Sequence, residues 1–279
     1  MNRQTLTLTL TAAVLAALPL AASADQLADI MARKELRCGT FADVPPFAAP
    51  DPKTREMVGH DVDLCNAIAK RLGVAAKVTP LSVEARVPEV KLGRVDITVA
   101  NLAYTLGRAE QIQFSDPYYL AKEMLAVLAS DPGSKPADFK GKRIASTKGS
   151  TSELSIKLNG SEPVTFVDTG SVFMAVQQNK AVGMVANTMT ITKLVHQSKT
   201  AGQPMKMIED PMVFQPIGIG MKKDEPALLA KVNATLKALD DEGELNRIWD
   251  KWLGMGTEFK MSRNDKVVPL SQLKFTPMP

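Results

Sequence analysis

The chain has 279 residues, 34 basic against 30 acidic, a net charge of +4 and 5% aromatic residues. Its charges are interspersed, so there is no electrostatic case for nucleic acid, and so few aromatics leave no stacking platform for bases. Two cysteines and two isolated histidines, His60 and His196, lack the paired spacing of a metal site, and no cofactor is implied.

Residues 1–24 carry Arg3, an apolar run from Leu6 to Leu20 and a small-residue site at Ala22-Ser23-Ala24. This is the pattern of a secretory signal peptide cleaved after about Ala24, and it is too short for a membrane span. No later segment reaches the roughly 18 apolar residues of a span. The mature chain is therefore expected to be exported and soluble. Cys38 falls on an apolar strand and Cys65 on the inner face of the next helix. A disulfide is possible in an oxidising compartment, with two buried free thiols slightly favoured.

Strand and helix patterns then alternate. LRCGTF (36–41) reads as a buried strand. DVDLCNAIAKRLG (61–73) reads as a helix, with Asp61 as N-cap, an apolar face and Gly73 at its end. AAKVTPL is a strand, EARVPEVKLG a short helix and VDITVAN a strand. The βαβαβ order predicts a parallel sheet with helices on both faces. The pattern restarts with strand GKRIASTKG, helix STSELSIKL, strand VTFVD, helix SVFMAVQQNK and strand VGMVAN. GRVDITVAN and NKAVGMVAN echo each other and end in Asn101 and Asn187. Both asparagines fall at carboxyl ends of strands, where open α/β sheets bind ligands. After Phe214 come a strand (PIGIGMKK), two helices (EPALLAKVNATLKALDDEG and ELNRIWDKWLG) and a polar tail from Gly256 to Pro279, expected as an extended strap.

Four stretches in order, GHDVDLCNAIAKRLG, GRVDITVANLAYTLGRAEQIQFSDPYY, DFKGKRIASTKGSTSE and GELNRIWDKWLG, resemble the periplasmic solute-binding proteins of polar amino-acid ABC importers, family 3. The tail makes the resemblance nearest to the glutamate/aspartate branch. It implies an α/β, two-lobed type II periplasmic-binding fold, with two parallel-core sheets joined by two crossing strands. Lobe 1 would be 25–119 plus 215–279, and lobe 2 would be 120–214. The implied function is capture of a small carboxylate or amino acid for an inner-membrane permease, by a periplasmic monomer with no catalysis. A sensor feeding a receptor, and a cyclohexadienyl-dehydratase-like enzyme, are the alternatives.

By the same resemblance, Arg108 of the Thr-x-x-Arg turn binds the ligand's α-carboxylate, as a planar fork of donors suits. Thr105 caps that turn. Ser150 and Thr151, opening a helix, would offer a second anion grip, compatible with a capping box to Glu153. Arg86 matches an arginine set against a distal carboxylate, with Lys148 adding charge. The stacking aromatics of basic-amino-acid binders fall on Val44 and Val83. The carboxylate that pairs with the ligand ammonium falls on Asn187, a lobe-1 hydroxyl on Ala103, an arginine on Phe41 and a histidine on Thr169. An ammonium desolvated without counter-charge costs several kcal/mol. The ligand's amine is therefore expected to be absent, modified or held by another acid, such as Asp168.

Overall fold

The computed structural model describes residues 25–200 and 202–279; the expected signal peptide lies outside the described residues. In chain order come α1 (Gln26–Arg33), β1 (Glu35–Phe41), the short strands β2 (Ala49–Pro50) and β3 (Met57–Val58), α2 (His60–Leu72), β4 (Ala75–Leu81), α3 (Arg86–Lys91), β5 (Ile97–Ala103), α4 (Leu106–Ala109) and β6 (Gln113–Phe114). The long strand β7 (Tyr119–Leu128) leads to β8 (Arg143–Thr147), α5 (Thr151–Leu158), β9 (Glu162–Phe166), α6 (Thr169–Gln177), β10 (Gly183–Asn187), α7 (Thr188–Ser198) and β11 (Met205–Met207). Strand β12 (Val213–Met221) returns to α8 (Pro226–Asp241) and α9 (Glu244–Trp252).

Strands β4, β1 and β5 run parallel on one side, and β10, β8 and β9 run parallel on the other. Between them lie β12 and β7, antiparallel to each other and to their flanking neighbours. Val213–Ile217 of β12 pairs with β7, and Ile217–Met221 pairs with β5. The two lobes thus share one hydrogen-bonded ten-stranded sheet rather than two separate ones. The reason is local: the crossing strands bond each other, so the ladder is not interrupted at the hinge.

The cores remain separate. One joins Leu36, Cys38, Val62, Cys65, Ile68 and Ile97 to Leu228, Leu236 and Trp249. The other straddles the second half of the sheet. Met124 and Ala126 of β7 face α6 and α7 on one side, while Leu125 and Val127 meet Ile144, Ile156 and Val185 on the other. This is the two-residue alternation of a strand covered on both faces. Each fully buried Leu, Ile or Val contributes about 1.5–3 kcal/mol.

Three local expectations change. Cys38 and Cys65 form a disulfide, with Cα atoms 6.3 Å apart, so the preference for free thiols was wrong. The buried strand and the inner helix face bring the two thiols together. Gly59 caps α2, not Asp61, whose buried carboxylate instead lies 2.9 Å from His60 Nδ1. His60 itself stacks on Tyr118 and meets the edge of Trp249, so it is a core residue. The Ser150–Glu153 capping box does not form, because Glu153 pairs with Lys157 one turn on. The tail runs extended around lobe 1. Arg263 donates to Tyr118 O and Asp240, and Asp265 accepts from Leu120 N at the entry to β7.

Candidate ligand-binding site

The crossing strands place the lobes face to face, and a small cavity lies between them. Lobe 1 supplies Phe41, Val44, Val83, Arg86 and Asn101. Lobe 2 and the crossing strands supply Glu123, Ser150, Thr151, Ser152, Asn187 and Gln215.

Arg108 sits at the rim rather than in the cavity wall. Thr105 Oγ1 accepts from Arg108 N at 3.1 Å, which starts the α4 turn. The guanidinium donates to Ala103 O at 2.8 Å and across the cleft to Gly149 O at 3.0 Å. Burial pushes this arginine down to about 10, with Glu123 opposing, so it stays charged at neutral pH. Ala103 therefore enters the site through its carbonyl.

Arg86 is 3% exposed. Its Nε donates to Val83 O and its Nη1 to Ala100 O, both at 2.8 Å, while its guanidinium carbon lies 4.9 Å from the centre of the Phe41 ring. Nη2 has no protein acceptor among the described residues. Burial, with the nearby charge of Arg108, holds this guanidinium well below the ordinary arginine range. Asn101 adopts a left-handed φ of 43°, sparsely allowed for a residue with a side chain, and its Oδ1 accepts from the Tyr119 hydroxyl. Asn187 caps α7, its Oδ1 accepting from Met189 N, while its Nδ2 is buried without a partner.

Ser150 is the N-cap of α5 but spends its hydroxyl on Thr147 O, which leaves the first helical N–H groups at Thr151 and Ser152 without a side-chain cap. Such a terminus attracts anions. Lys148, expected to add charge to the cavity, instead pairs with Glu84 of lobe 1 at 3.2 Å. Gly149 beside it has φ +75°, and a Cβ there would come within 2.8 Å of Glu84 Cα. Asp168 is likewise spent elsewhere: it caps α6 by accepting from Ser171 N and Oγ, both at 2.7 Å, and these bonds hold it below the ordinary carboxylate range.

The acid that does line the cavity is Glu123 on β7, 3% exposed. Ser152 Oγ donates to one carboxylate oxygen and Gln215 Nε2 to the other. Burial pushes this carboxyl above its ordinary range, against those two hydrogen bonds and the charges of Arg108 and Arg86. Sequence reading passed over Glu123, Ser152 and Gln215. The one available signal was an acid alone in an apolar strand, within YLAKEMLAVL. Among the described residues no group of three or more His, Cys, Asp or Glu could hold a metal ion, and no helix is long and apolar enough to cross a membrane.

Two α/β lobes on paired crossing strands, closed over a polar cavity, define a periplasmic-binding-type receptor for a small solute. The chain belongs to the bacterial extracellular solute-binding proteins, family 3, whose profile matches residues 36–255. It is 27% identical over 224 residues to the ABC transporter arginine-binding protein 1 of Escherichia coli (strain K12), covering 79% of this chain and 91% of that protein. It is 26% identical over 238 residues to an ABC transporter glutamine-binding protein of Bacillus subtilis (strain 168), covering 82% and 85%. Among solved structures, an ancestral arginine-binding protein bound to arginine superposes with a TM-score of 0.73 at 31% identity, covering 80% of this chain and 99% of that one. The expected kinship with the glutamate/aspartate branch is thereby corrected, since these relatives bear arginine and glutamine names. The strap that suggested it is a polar tail whose extended course leaves little sequence signal of its own. The family makes the chain an extracellular solute-binding protein, and both of these curated relatives are named as amino-acid-binding proteins of ABC transporters.

Proposed function

We propose that the protein captures, in the periplasm, an amino acid whose side chain ends in a hydrogen-bond acceptor, and presents it closed between lobe 1 (25–119 and 215–279) and lobe 2 (120–214) to an inner-membrane permease. The observation that carries this reading is Arg108, anchored on lobe 1 and reaching Gly149 O of lobe 2 at 3.0 Å. A ligand α-carboxylate would take that carbonyl's place on the guanidinium and accept from the N–H groups opening α5, bridging the lobes through one anion. Contacts made only in the closed form are what drive such closure.

The tail would lie against Phe41, Val44, Val83 and the unpartnered Nη2 of Arg86. A donor there suits an amide or carboxylate oxygen. It opposes a second guanidinium, and Val44 and Val83 give an arginine nothing aromatic to stack on. The reading thus sides with the glutamine-named relative over the arginine-named ones.

Calorimetric titration of residues 25–279 with L-glutamine, L-glutamate and L-arginine tests it. Tight binding of glutamine or glutamate, with arginine at least tenfold weaker, is expected. Arginine binding tightest would overturn the assignment of the tail.

A further inference from the structure

The ladder between β7 and β10 sets Glu123 directly opposite Asn187. Directly opposed residues of an antiparallel pair project to the same face, with Cβ atoms about 5 Å apart, and here both side chains line the cavity. Gln215 is two residues from Val213, the β12 partner of Glu123, and so shares that face. From the Asn187 position to the Glu123 position is therefore one step across the sheet, not a different region of the site. The amide at 187 carries no charge; its oxygen already accepts from Met189 N, and its N–H donor is buried without a partner. A neutral amide gives a desolvated ammonium no counter-charge.

We infer that Glu123 is the counter-ion of the ligand's α-ammonium, taking from the neighbouring strand the charge that position 187 lacks. The inference rests on the proposed amino-acid reading and adds a residue to it. Each Glu123 oxygen accepts one hydrogen bond, from Ser152 or Gln215, which orients the carboxylate and leaves each with a further lone pair. Gln215 Oε1 is buried without a partner on the same face, so a second acceptor stands beside the carboxylate. Arg108 and Arg86 put two positive charges near Glu123. With the carboxylate ionised, the site carries one net positive charge and suits a zwitterion bearing a neutral or anionic tail. The fixed acid makes the choice of ligand a choice between an amine and no amine.

Matched pairs differing only in the amine test this: L-glutamine with glutaramate, and L-glutamate with glutarate, titrated into the wild type, Glu123→Gln and Arg108→Ala. Glu123→Gln keeps the side-chain volume and one acceptor oxygen for Gln215 Nε2, while its new N–H faces the Ser152 hydroxyl, which can accept as well as donate; an unchanged unfolding midpoint without ligand shows that it folds. The expected result is at least a 100-fold loss of affinity for the amino acid in Glu123→Gln, with affinity for the amine-free partner unchanged or improved. Equal losses for both members of a pair, or a loss of less than threefold for the amino acid, overturn the inference and leave Glu123 as a structural acid. A wild type that binds glutaramate or glutarate but neither amino acid also overturns it, while leaving the carboxylate grip of Arg108 intact. A wild type that binds none of the four overturns the acceptor-tailed reading of the ligand, and the inference with it.

Discussion

At Arg108 the shape of the charge matters more than its sign. Its guanidinium holds Ala103 O and Gly149 O at once, one in each lobe. A lysine would keep the positive charge but offers a single ammonium in place of a rigid fork. Hydrogen bonds to charged groups contribute about 1.5–3 kcal/mol each. We therefore expect Arg108→Lys to weaken amino-acid binding by roughly 10- to 100-fold, with little change in the unfolding temperature of the unliganded protein. Titration calorimetry beside a melting curve checks both halves. Arg86 differs: it is buried, its Nε holds Val83 O, and its Nη1 reaches both Ala100 O and Asn101 O. Truncating it would strip partners from the strand end that shapes the cleft, so Arg86→Ala is expected to lower stability as well as affinity. A variant as stable as wild type would mean that those backbone bonds contribute nothing.

At the level of elements, the turn between β8 and α5 is where the lobes come closest. Gly149 tolerates φ +75° and leaves room for Glu84 Cα, which a Cβ would approach to 2.8 Å. Placing alanine in a left-handed conformation costs roughly 1–2 kcal/mol, and the clash arises only when the lobes meet. Gly149→Ala is therefore expected to lose affinity more than stability and to remain open at saturating ligand. Small-angle scattering with and without ligand reads this, and a variant that compacts like wild type would sink the idea. The same turn shows what was legible in the sequence. Helices α2, α8 and α9, with strands β4 and β5 on either side of α3, follow from local periodicity and Gly or Asp punctuation. The opening of α5 follows from its Ser-Thr start. The outward turn of Lys148 toward Glu84 does not, because its partner is 64 residues away in the other lobe. Glu123 escaped for a related reason. Its neighbour Asn187 is set by the register of β7 on β10, a long-range pairing that strand periodicity leaves undetermined. Asp168, the more conspicuous acid in sequence, is held by a local bond to Ser171 instead.

For the molecule as a whole, the strap makes the hinge part of one fabric with lobe 1. Arg263 is buried against Asp240 at 2.7 Å while also holding Tyr118 O, just before β7 begins. Burial alone would raise Asp240. The hydrogen bonds from Arg263 and Val267 N and the charges of Arg263 and Lys266 outweigh it and hold the carboxyl below the ordinary aspartate range. A carboxyl lowered by folding adds stability above its unfolded value, near 4, and that stability is lost as pH falls through the lower, folded value. Wild type should therefore lose more unfolding free energy than Asp240→Asn between pH 5 and pH 3, by urea denaturation. Parallel losses would show that the pair does not couple to pH. Removing Arg263 alone leaves the buried carboxylate with only Val267 N and the more distant Lys266, and breaking a buried pair typically costs about 3–5 kcal/mol.

The strap finishes its course where the ligand's anion is expected. Met278 forms a parallel bridge with Thr105 and accepts from Leu106 N at 2.9 Å, and Pro279 lies against Gly107, one residue from Arg108. Anything joined after Pro279 would emerge beside the arginine turn. A purification tag fused there would crowd the rim of the cleft and distort affinities measured with it. A small environment-sensitive fluorophore at the same place would brighten or dim with occupancy, which makes this end of the polypeptide a natural attachment point for an optical sensor.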